Sequence, residues 1–407
     1  MSIHARFIVL AMLALSTSPA LGDDGMTVQV HAGKIDRPQT VAVYMLPPAL
    51  AQAATVMVMF DNPVLSSTPR SQSLTIDGKP AVAWIVEPMK AGESRSFVLR
   101  PGVRAKGGRP AMWVEKADGK LVVSHFKREI LTYQMEAAQP PEGVDKIFAR
   151  GAYIHPVYTP EGTLLTNDFP KKHLHHHGIW FPWTETEFEG KKVDFWNMGK
   201  GEGTVEFTKL HSFDGGQVFA SFRAQHRFMA LKATGGPKPV LDETWDVRVW
   251  SLDNANVFDI TSTQKCAGDA PLKLLKYHYG GMGFRGSDEW EGKDGCQFLT
   301  SEGKTRIDGH GTSAKWCAIS GKVASKHVGI AVLSHPDNFR HPQKTRIHPD
   351  EPFFNYVPEA DGEFSIEPGK PYVSRYRFIA FDGEPDKEKI ESMWKDYADP
   401  VVVKVGK

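Results

Sequence analysis

The chain contains few cysteines, has no bias towards one charge, and has no long apolar run after its first residues. Only 3 cysteines occur among 407 residues, at the widely spaced positions Cys266, Cys296 and Cys317. This number and spacing indicate neither a disulfide scaffold nor a zinc-finger set. The 49 basic residues balance the 48 acidic ones without a basic stripe, so we expect no nucleic-acid partner. No later segment reaches the roughly 20 consecutive apolar residues of a membrane helix, so we expect no membrane span in the mature chain.

The first residues have the pattern of a secretory signal peptide. Arg6 gives a basic start, residues 7–15 form an apolar core, and residues 18–22 include small residues that suit cleavage. We therefore expect a signal peptide at residues 1–22 and a periplasmic or extracellular protein. In an oxidising compartment two of the 3 cysteines can pair, so we also expect one disulfide and one buried thiol.

Alternation of apolar and polar residues dominates the sequence and predicts an all-β protein. Short strands between turn residues indicate a small antiparallel β-sandwich domain over residues 24–135, with a hairpin at residues 117–120. Residues 137–143 contain Pro140, Pro141 and Gly143 and are typical of a linker. Longer strands then resume, so residues 140–400 are predicted to form a large β-sandwich.

The C-terminal residues break this β pattern. After Pro385-Asp386, apolar residues recur at helical spacing, at Ile390, Met393, Trp394 and Tyr397. We expect one amphipathic C-terminal helix there that packs against the large sandwich.

A run of histidines is the most conspicuous chemical feature of the sequence. In His173-Leu174-His175-His176-His177, an extended backbone would place His173, His175 and His177 on one face and His176 on the other. Imidazole titrates near neutrality and is the commonest metal ligand, so a row of imidazoles on one face suits acid–base catalysis or metal chelation. The structural alternative is a polar strand end whose imidazoles bond to backbone and water.

The neighbourhood of this run favours a functional site. His155 lies upstream of it. The aromatic residues and carboxylates that follow it include Trp180, Trp183, Glu185, Asp194 and Trp196. An aromatic floor beside titratable groups is what a ring-shaped polar ligand needs.

Two further clusters contain arginine. Arg285 ends the glycine-rich segment that starts at Gly280, which we interpret as a sharp bend rather than a dinucleotide loop, because no βαβ pattern surrounds it. We expect Arg285 at the rim of a cleft, where it can bind a carboxylate or a sugar hydroxyl. His335, Asn338 and Arg340 follow an apolar strand, whose end would deliver them to a site. Bonds to nearby carbonyls and ordinary turn chemistry are the alternatives for both clusters.

These blocks together carry a family resemblance. They are residues 155–162, Asp168-Phe169-Pro170, the histidine run ending in Gly178-Ile179-Trp180, Asp194-Phe195-Trp196, residues 280–285, and His335-Pro336 with Asn338 and Arg340. In this order they resemble a family of exported bacterial proteins, DUF6807, which is also labelled "methane oxygenase PmoA". The resemblance implies a sandwich similar to that of galactose mutarotase and related sugar enzymes. Because function lives in the site, the fold alone assigns no activity.

The sequence favours a secreted carbohydrate-active enzyme, a lyase or a hydrolase, with its cleft in the large sandwich. The residues predicted to move protons are His155, His175, His176, His177, Asp194 and Glu185. The residues predicted to bind the substrate are Trp180, Trp183, Trp196, Arg285, His335, Asn338 and Arg340. The indoles would stack on a sugar ring, and the arginines would hold a uronate or a group of hydroxyls.

Three alternatives remain open at this point. The same segment can support a metal-dependent enzyme in which His173, His175 and His177 bind a divalent metal, although the spacing fixes no fourth ligand. A non-catalytic glycan-binding protein would use the aromatic residues but would have little use for so many imidazoles. A literal methane oxygenase is not expected, because the subunit that shares this label is built from membrane helices and the chain shows none after its signal.

Overall fold

The computed structural model describes residues 25–61, 68–102 and 110–406. The chain divides into two compact units. The first comprises the described residues of Met1–Arg109 together with those of Pro400–Lys407, and the second is Pro110–Asp399. The signal peptide expected at residues 1–22 lies outside the described residues. Within the described ranges, no helix is both long enough and apolar enough to cross a membrane.

Strands account for most of the regular structure. In chain order, the elements up to residue 134 are β1 (Met26–His31), β2 (Thr40–Met45), the short helix α1 (Pro48–Ala51), β3 (Thr55–Phe60), β4 (Ser71–Ile76), β5 (Lys79–Val86), β6 (Ser94–Gly102), β7 (Met112–Ala117), β8 (Lys120–His125) and β9 (Arg128–Gln134). The next are β10 (Tyr153–Val157), β11 (Ile179–Trp180), β12 (Thr186–Phe188), β13 (Lys191–Val193), β14 (Gly203–Asp214), β15 (Phe219–Ala230), β16 (Lys238–Trp250), β17 (Asn256–Cys266), β18 (Leu272–Leu274) and β19 (Gly283–Arg285). The last are β20 (Cys296–Thr300), β21 (Trp316–Val323), β22 (Lys326–Ser334), β23 (Lys344–Ile347), β24 (Phe353–Val357), β25 (Phe364–Ile366), β26 (Tyr372–Asp382), α2 (Lys387–Ala398) and β27 (Val402–Val405).

Two antiparallel sheets form the first unit. Their strand orders are β27-β1-β6-β3 and β2-β5-β4. Trp84 of β5 and Phe97 of β6 pack edge to face with ring centroids 5.6 Å apart, so the apolar core lies between the two sheets. This unit is the small β-sandwich predicted from the sequence, completed by the C-terminal strand β27, which pairs with β1.

Two eight-stranded antiparallel sheets form the body of the second unit. Their orders are β23-β24-β19-β11-β10-β9-β8-β7 and β14-β15-β16-β17-β26-β22-β21-β20, and a smaller sheet has the order β13-β12-β18-β25. Tyr133 of β9 contacts Phe222 of β15 and Trp245 of β16, with centroid distances of 5.0 and 6.3 Å. Side chains of the two large sheets thus share one core. The predicted large β-sandwich is confirmed.

The boundary between the units lies earlier than the sequence predicted. Strands β7, β8 and β9 fall within the predicted small domain, residues 24–135, but they extend a sheet of the second unit, where β9 pairs with β10. Residues 137–143 therefore connect two neighbouring strands of one sheet and are not a linker between domains. Alternation reveals that a strand is half-buried but not which sheet it joins.

The predicted C-terminal helix is confirmed as α2. The carboxylate of Asp386 caps it by accepting the Lys389 backbone N–H at 3.0 Å. Ile390 and Met393 are buried, and the Trp394 indole N–H donates to the Ser334 carbonyl at 2.9 Å. The helix therefore packs on the large sandwich.

The predicted disulfide is wrong, because all three cysteines are free. Cys296 and Cys317 lie on the paired strands β20 and β21, but Cys296 faces Gly321 and Cys317 faces Thr300. The two thiols are therefore at opposite ends of the strand pair, beyond the reach of an S–S bond. Cys266 is partly buried and donates its S–H to the Ile366 carbonyl.

We expect thiol titration to show three reactive thiols in the unfolded chain and one, Cys266, in the native protein, because Cys296 and Cys317 are buried. The measurement is reaction with an aromatic disulfide reagent, with and without denaturant. The melting temperature should also be the same with and without reductant. A single reactive thiol in the unfolded chain would show a disulfide and contradict this structure.

Candidate active site

The histidine segment is not extended but forms two successive turns. The His173 backbone N–H donates to the Pro170 carbonyl at 2.9 Å, and the His176 N–H donates to the His173 carbonyl at 2.8 Å. The rings of His173 and His176 consequently stack with centroids 4.7 Å apart, and the His175 ring meets His176 edge-on at 4.7 Å. The predicted division of the imidazoles by alternation is therefore wrong. His173, His175 and His176 form one group, and His177 makes different contacts.

Gly178 allows the segment to pack closely against the sheet. A Cβ atom at this position would lie 2.2 Å from the Ile154 carbonyl oxygen of β10. No side chain fits there, so only glycine lets the chain enter β11, whose Ile179 pairs with Ile154. The close approach brings the His177 ring to within 4.7 Å of the Tyr153 ring, measured between centroids.

Asp168 links two groups that can carry protons. Its Oδ2 accepts the Tyr153 hydroxyl at 2.6 Å, and its Oδ1 accepts His177 Nδ1–H at 2.6 Å. Burial lowers the pKa of His177, although Asp168 acts in the opposite direction, so the ring is neutral at neutral pH. With its proton on Nδ1, the ring carries a lone pair on Nε2. This buried atom has no hydrogen-bond partner among the described residues. We call Tyr153, Asp168 and His177 the Asp168 group.

His155 and His175 are partly exposed imidazoles beside this group. The Thr166 hydroxyl lies 2.9 Å from His155 Nδ1 and accepts the Val157 backbone N–H. Burial lowers the pKa of His155, while the charge of Asp168 raises it. Burial, together with the charges of His173 and His177, lowers the pKa of His175 to about 4. A proton on His177 would disfavour a proton on either of these imidazoles, so the three rings lie near one another.

A second group surrounds the carboxylate of Glu351, between β23 and β24. His173 Nε2 lies 3.1 Å from Glu351 Oε1, and Arg285 donates to Glu351 Oε2 at 2.6 Å. Burial alone would raise the pKa of Glu351, but hydrogen bonds from His173 and Arg285 lower it to about 2. The His348 ring lies 6.1 Å from the His173 ring, and burial lowers its pKa to about 4.

Arg285 does not lie at a rim, as the sequence had led us to expect. It is 0% exposed and forms ion pairs with Glu351 and Glu291. Its guanidinium also lies 3.4 Å from His176 Nδ1. A buried guanidinium needs carboxylate partners, so Arg285 holds carboxylates of the protein rather than a substrate.

The three predicted stacking indoles are buried. Trp180 and Trp183 are 0% exposed and Trp196 is 1% exposed. The Trp180 ring lies 4.9 Å from the Trp196 ring and 5.2 Å from the His176 ring, measured between centroids. These two indoles therefore pack against the histidine turns. The Trp183 N–H donates to the Gln264 side chain at 2.7 Å within the core. None of them offers a face to a sugar in this structure, which contradicts the predicted role.

Asp194 and Glu185 lie beside partly exposed tyrosines. Asp194 is buried and accepts the backbone N–H groups of Trp196 and Asn197, so it organises the turn before residue 198. The Asn197 side chain in turn donates to the Tyr279 hydroxyl at 3.0 Å. Burial, Tyr279 and the charges of Glu185 and Asp194 raise the pKa of Tyr277 to about 12. Glu185 also pairs with Lys192 at 3.3 Å.

His335, Asn338 and Arg340, which follow β22, form hydrogen bonds with backbone groups of the protein. Arg340 donates to the Pro358 and Gly362 carbonyls at 2.7 and 2.6 Å. The buried Asn338 side chain donates to the Arg375 carbonyl at 2.8 Å and accepts the Arg375 N–H at 2.7 Å. His335 Nδ1 accepts the Asp337 N–H at 3.1 Å. These contacts are those of a structural loop, so the predicted substrate-binding role of these three residues is not supported.

Several residues of the site have no role that the sequence predicted. The main ones are Tyr153, Asp168, Arg346, His348 and Glu351. Two signals were available. Tyr153 lies two positions before His155 and shares its side of an extended strand. The segment His348-Pro349-Asp350-Glu351 is a dense polar loop between apolar strands, of the kind that often carries function.

The fold and the site together define an all-β protein with two sandwiches and a buried histidine–carboxylate centre in the larger one. The model of a family of unknown function (DUF6807) matches residues 120–395. The chain belongs to this family. Among curated protein sequences, none matches the chain.

Several solved structures match the chain at low sequence identity. A glycosyl hydrolase family 38 protein from Enterococcus faecalis matches with a TM-score of 0.45 and 13% identity, over 95% of this chain and 48% of that one. An alpha-mannosidase from Enterococcus faecalis V583 matches with a TM-score of 0.45 and 12% identity, over 95% of this chain and 46% of that one. A galactose mutarotase related enzyme from Lactobacillus acidophilus matches with a TM-score of 0.29 and 10% identity, over 66% of this chain and 97% of that one. The chain therefore spans about half the length of the first two structures.

Proposed function

We propose that this chain is an exported carbohydrate-active enzyme that uses the Asp168 group for proton transfer, and that it is a lyase. The observation that carries the proposal is the unpaired Nε2 of His177, whose other nitrogen is held by Asp168. A carboxylate that fixes the imidazole tautomer leaves a lone pair ready to take a proton, as in other Asp–His pairs.

The protonation states favour elimination over hydrolysis. Hydrolysis by a carboxylate pair needs one carboxyl group that is protonated at working pH. The pKa values of Asp168 and Glu351 are both lowered, so neither is that acid. A neutral imidazole instead suits abstraction of the proton next to a uronate carboxylate. The His177 ring is 0% exposed, so this proposal requires the histidine turns to move when the substrate binds. His177 then takes this proton, the C–O bond to the leaving sugar breaks as a C=C bond forms, and a water molecule donates a proton to the leaving oxygen.

The proposed substrate contacts differ from those predicted from the sequence. Tyr277 and Tyr279 are partly exposed aromatic residues beside Asp194, so they replace the buried indoles as candidate stacking groups. Arg285 and Arg340 already bind other groups of the protein. The positive charge of Arg346 lowers the pKa of His278 and the pKa of His348. The Arg346 Nε has no hydrogen-bond partner among the described residues. We assign Arg346 to the uronate carboxylate.

We expect Asp168→Asn to lower kcat on a uronate-containing polysaccharide by about 100-fold, with little change in KM. The asparagine amide keeps the shape of the side chain but can donate to His177 Nδ1, which moves the ring proton to Nε2 and removes the lone pair. The measurement is near-ultraviolet absorbance of the unsaturated product over a panel of plant and algal polysaccharides. Melting temperatures verify that the variant is folded at the assay temperature.

Asp337→Asn is the matched control, because its carboxylate is 53% exposed and lies on the loop after β22. It should retain wild-type activity. New reducing ends without absorbance would identify a hydrolase and overturn the elimination mechanism. Binding of a polysaccharide without any product would identify a glycan-binding protein and overturn the enzymatic proposal.

A further inference from the structure

Three side chains from two distant segments present metal-ligating atoms to one point. The ligand atoms of His173, His348 and Glu351 all lie within 4.8 Å of one another. His173 Nε2 and Glu351 Oε1, which are 3.1 Å apart, are aimed at each other. Two imidazoles and one carboxylate are a common ligand set for zinc and for other divalent ions of borderline softness.

The carboxylate of Glu351 is oriented by an arginine on the side away from His173. Arg285 binds Glu351 through Oε2 at 2.6 Å, which leaves Oε1 directed at His173. Glu291 fixes the other end of the Arg285 guanidinium. Outer partners of this kind orient metal ligands and raise the affinity of a site. The arrangement therefore has both inner ligands and an outer support.

A second group of imidazoles shares His173 but is a poorer site. The ligand atoms of His173, His175 and His176 also lie within 4.8 Å of one another. The buried His176 ring is stacked between His173 and Phe353, and its Nδ1 lies 3.4 Å from the Arg285 guanidinium. This group offers no negative charge to offset a cation, whereas the first group contains Glu351. His177, which the sequence placed among the metal candidates, bonds to Asp168 instead.

We propose that His173, His348 and Glu351 bind one divalent metal ion of the zinc class. Without the ion, a proton of His173 fills the space between Nε2 and Oε1, and metal binding displaces it. The Asp350 backbone N–H lies 3.2 Å from His348 Nδ1, so binding through Nε2 also requires the His348 ring proton to move to Nδ1 and this contact to break. His348 is thus the weakest of the three ligands.

The test is calorimetric titration of the metal-stripped full chain with Zn²⁺. Wild-type protein should bind one ion per chain. His173→Ala and Glu351→Gln should each lower the affinity by about 100-fold or more, because loss of an outer partner alone lowers it about 10–100-fold. His348→Ala should lower it by about 10-fold. His211→Ala is the control, since this exposed imidazole on β14 bonds to Gln225 and should have no effect.

Two further measurements keep the test independent of folding. Zn²⁺ should raise the melting temperature of the wild-type chain and of His211→Ala, but not that of Glu351→Gln. His175→Ala separates the two groups of ligands and should retain the wild-type affinity. Loss of binding in His175→Ala with retention in Glu351→Gln would place the ion among the imidazoles and overturn the proposal, as would a wild-type chain that binds no Zn²⁺.

Discussion

Replacing Arg285 by methionine is expected to lower the free energy of unfolding of the larger unit by about 3–5 kcal/mol. The guanidinium is fully buried and pairs with the carboxylates of Glu351 and Glu291. Methionine fills much of the same volume but leaves these carboxylates without their cation. A buried charge without a partner destabilises the folded state. Urea unfolding followed by tryptophan fluorescence, with chelator present, measures the change.

An exposed ion pair provides the control for this prediction. Lys326 and Glu161 are 3.0 Å apart, but their side chains are 56% and 60% exposed. Lys326→Met should therefore change the free energy of unfolding by less than about 1 kcal/mol. Adding Glu351→Gln to Arg285→Met should recover part of the loss, because it removes one of the stranded charges. A loss in Arg285→Met no larger than that in Lys326→Met would show that burial does not govern this pair.

The strands and the C-terminal helix could be predicted because their signals are local. The turn at residues 117–120 and the cap at Asp386 each act within a few residues, and the structure has a hairpin and a helix start at these places. The domain boundary could not be predicted in the same way. The pairing of β9 with β10 crosses residues 137–143, and no local pattern reports which strands become neighbours.

The candidate site depended more strongly on contacts between distant residues. His173 and Glu351 are separated by 178 positions in the sequence, and the periodicity around His173 predicts nothing about Glu351. The exposure of the indoles could not be predicted either. Tryptophan is amphipathic, so the same residue can serve as a binding platform or as core packing. In this chain Trp180 is buried against Trp196 beneath the sheet around β11, so the stacking surface that we propose is formed by the tyrosines instead.

Burial of one carboxyl group should make the stability of the larger unit depend on pH. Glu359 is 2% exposed, its Oε2 has no partner among the described residues, and it occupies the space beside Gly280, where a Cβ atom would lie 1.9 Å from Oε1. Burial raises the pKa of Glu359 from 4.5 to about 8, although Arg340 acts in the opposite direction. The folded protein therefore keeps a proton that the unfolded chain releases.

The sign of the dependence follows from proton linkage. Between about pH 4.5 and about pH 8 the unfolded chain binds fewer protons at this position than the folded chain, so stability falls as pH rises through this window. Each unit of pKa difference corresponds to about 1.4 kcal/mol, so the loss at pH 7 is about 3 kcal/mol relative to pH 4. Glutamine is neutral at every pH and similar in shape. Glu359→Gln should therefore match the wild type near pH 4 and exceed it by about 3 kcal/mol at pH 7.

Urea unfolding of both proteins at a series of pH values tests this prediction, because the difference between them isolates one group from all the other titrating residues. Glu363→Gln is the matched control. Its carboxylate is 62% exposed and pairs with Lys273 at 3.3 Å, so its substitution should leave the pH dependence of the wild type in place. If Glu359→Gln and the wild type differ by the same amount at pH 4 and at pH 7, Glu359 does not hold a proton in the folded protein, and the unpaired Oε2 must be satisfied by water or by a bound cation.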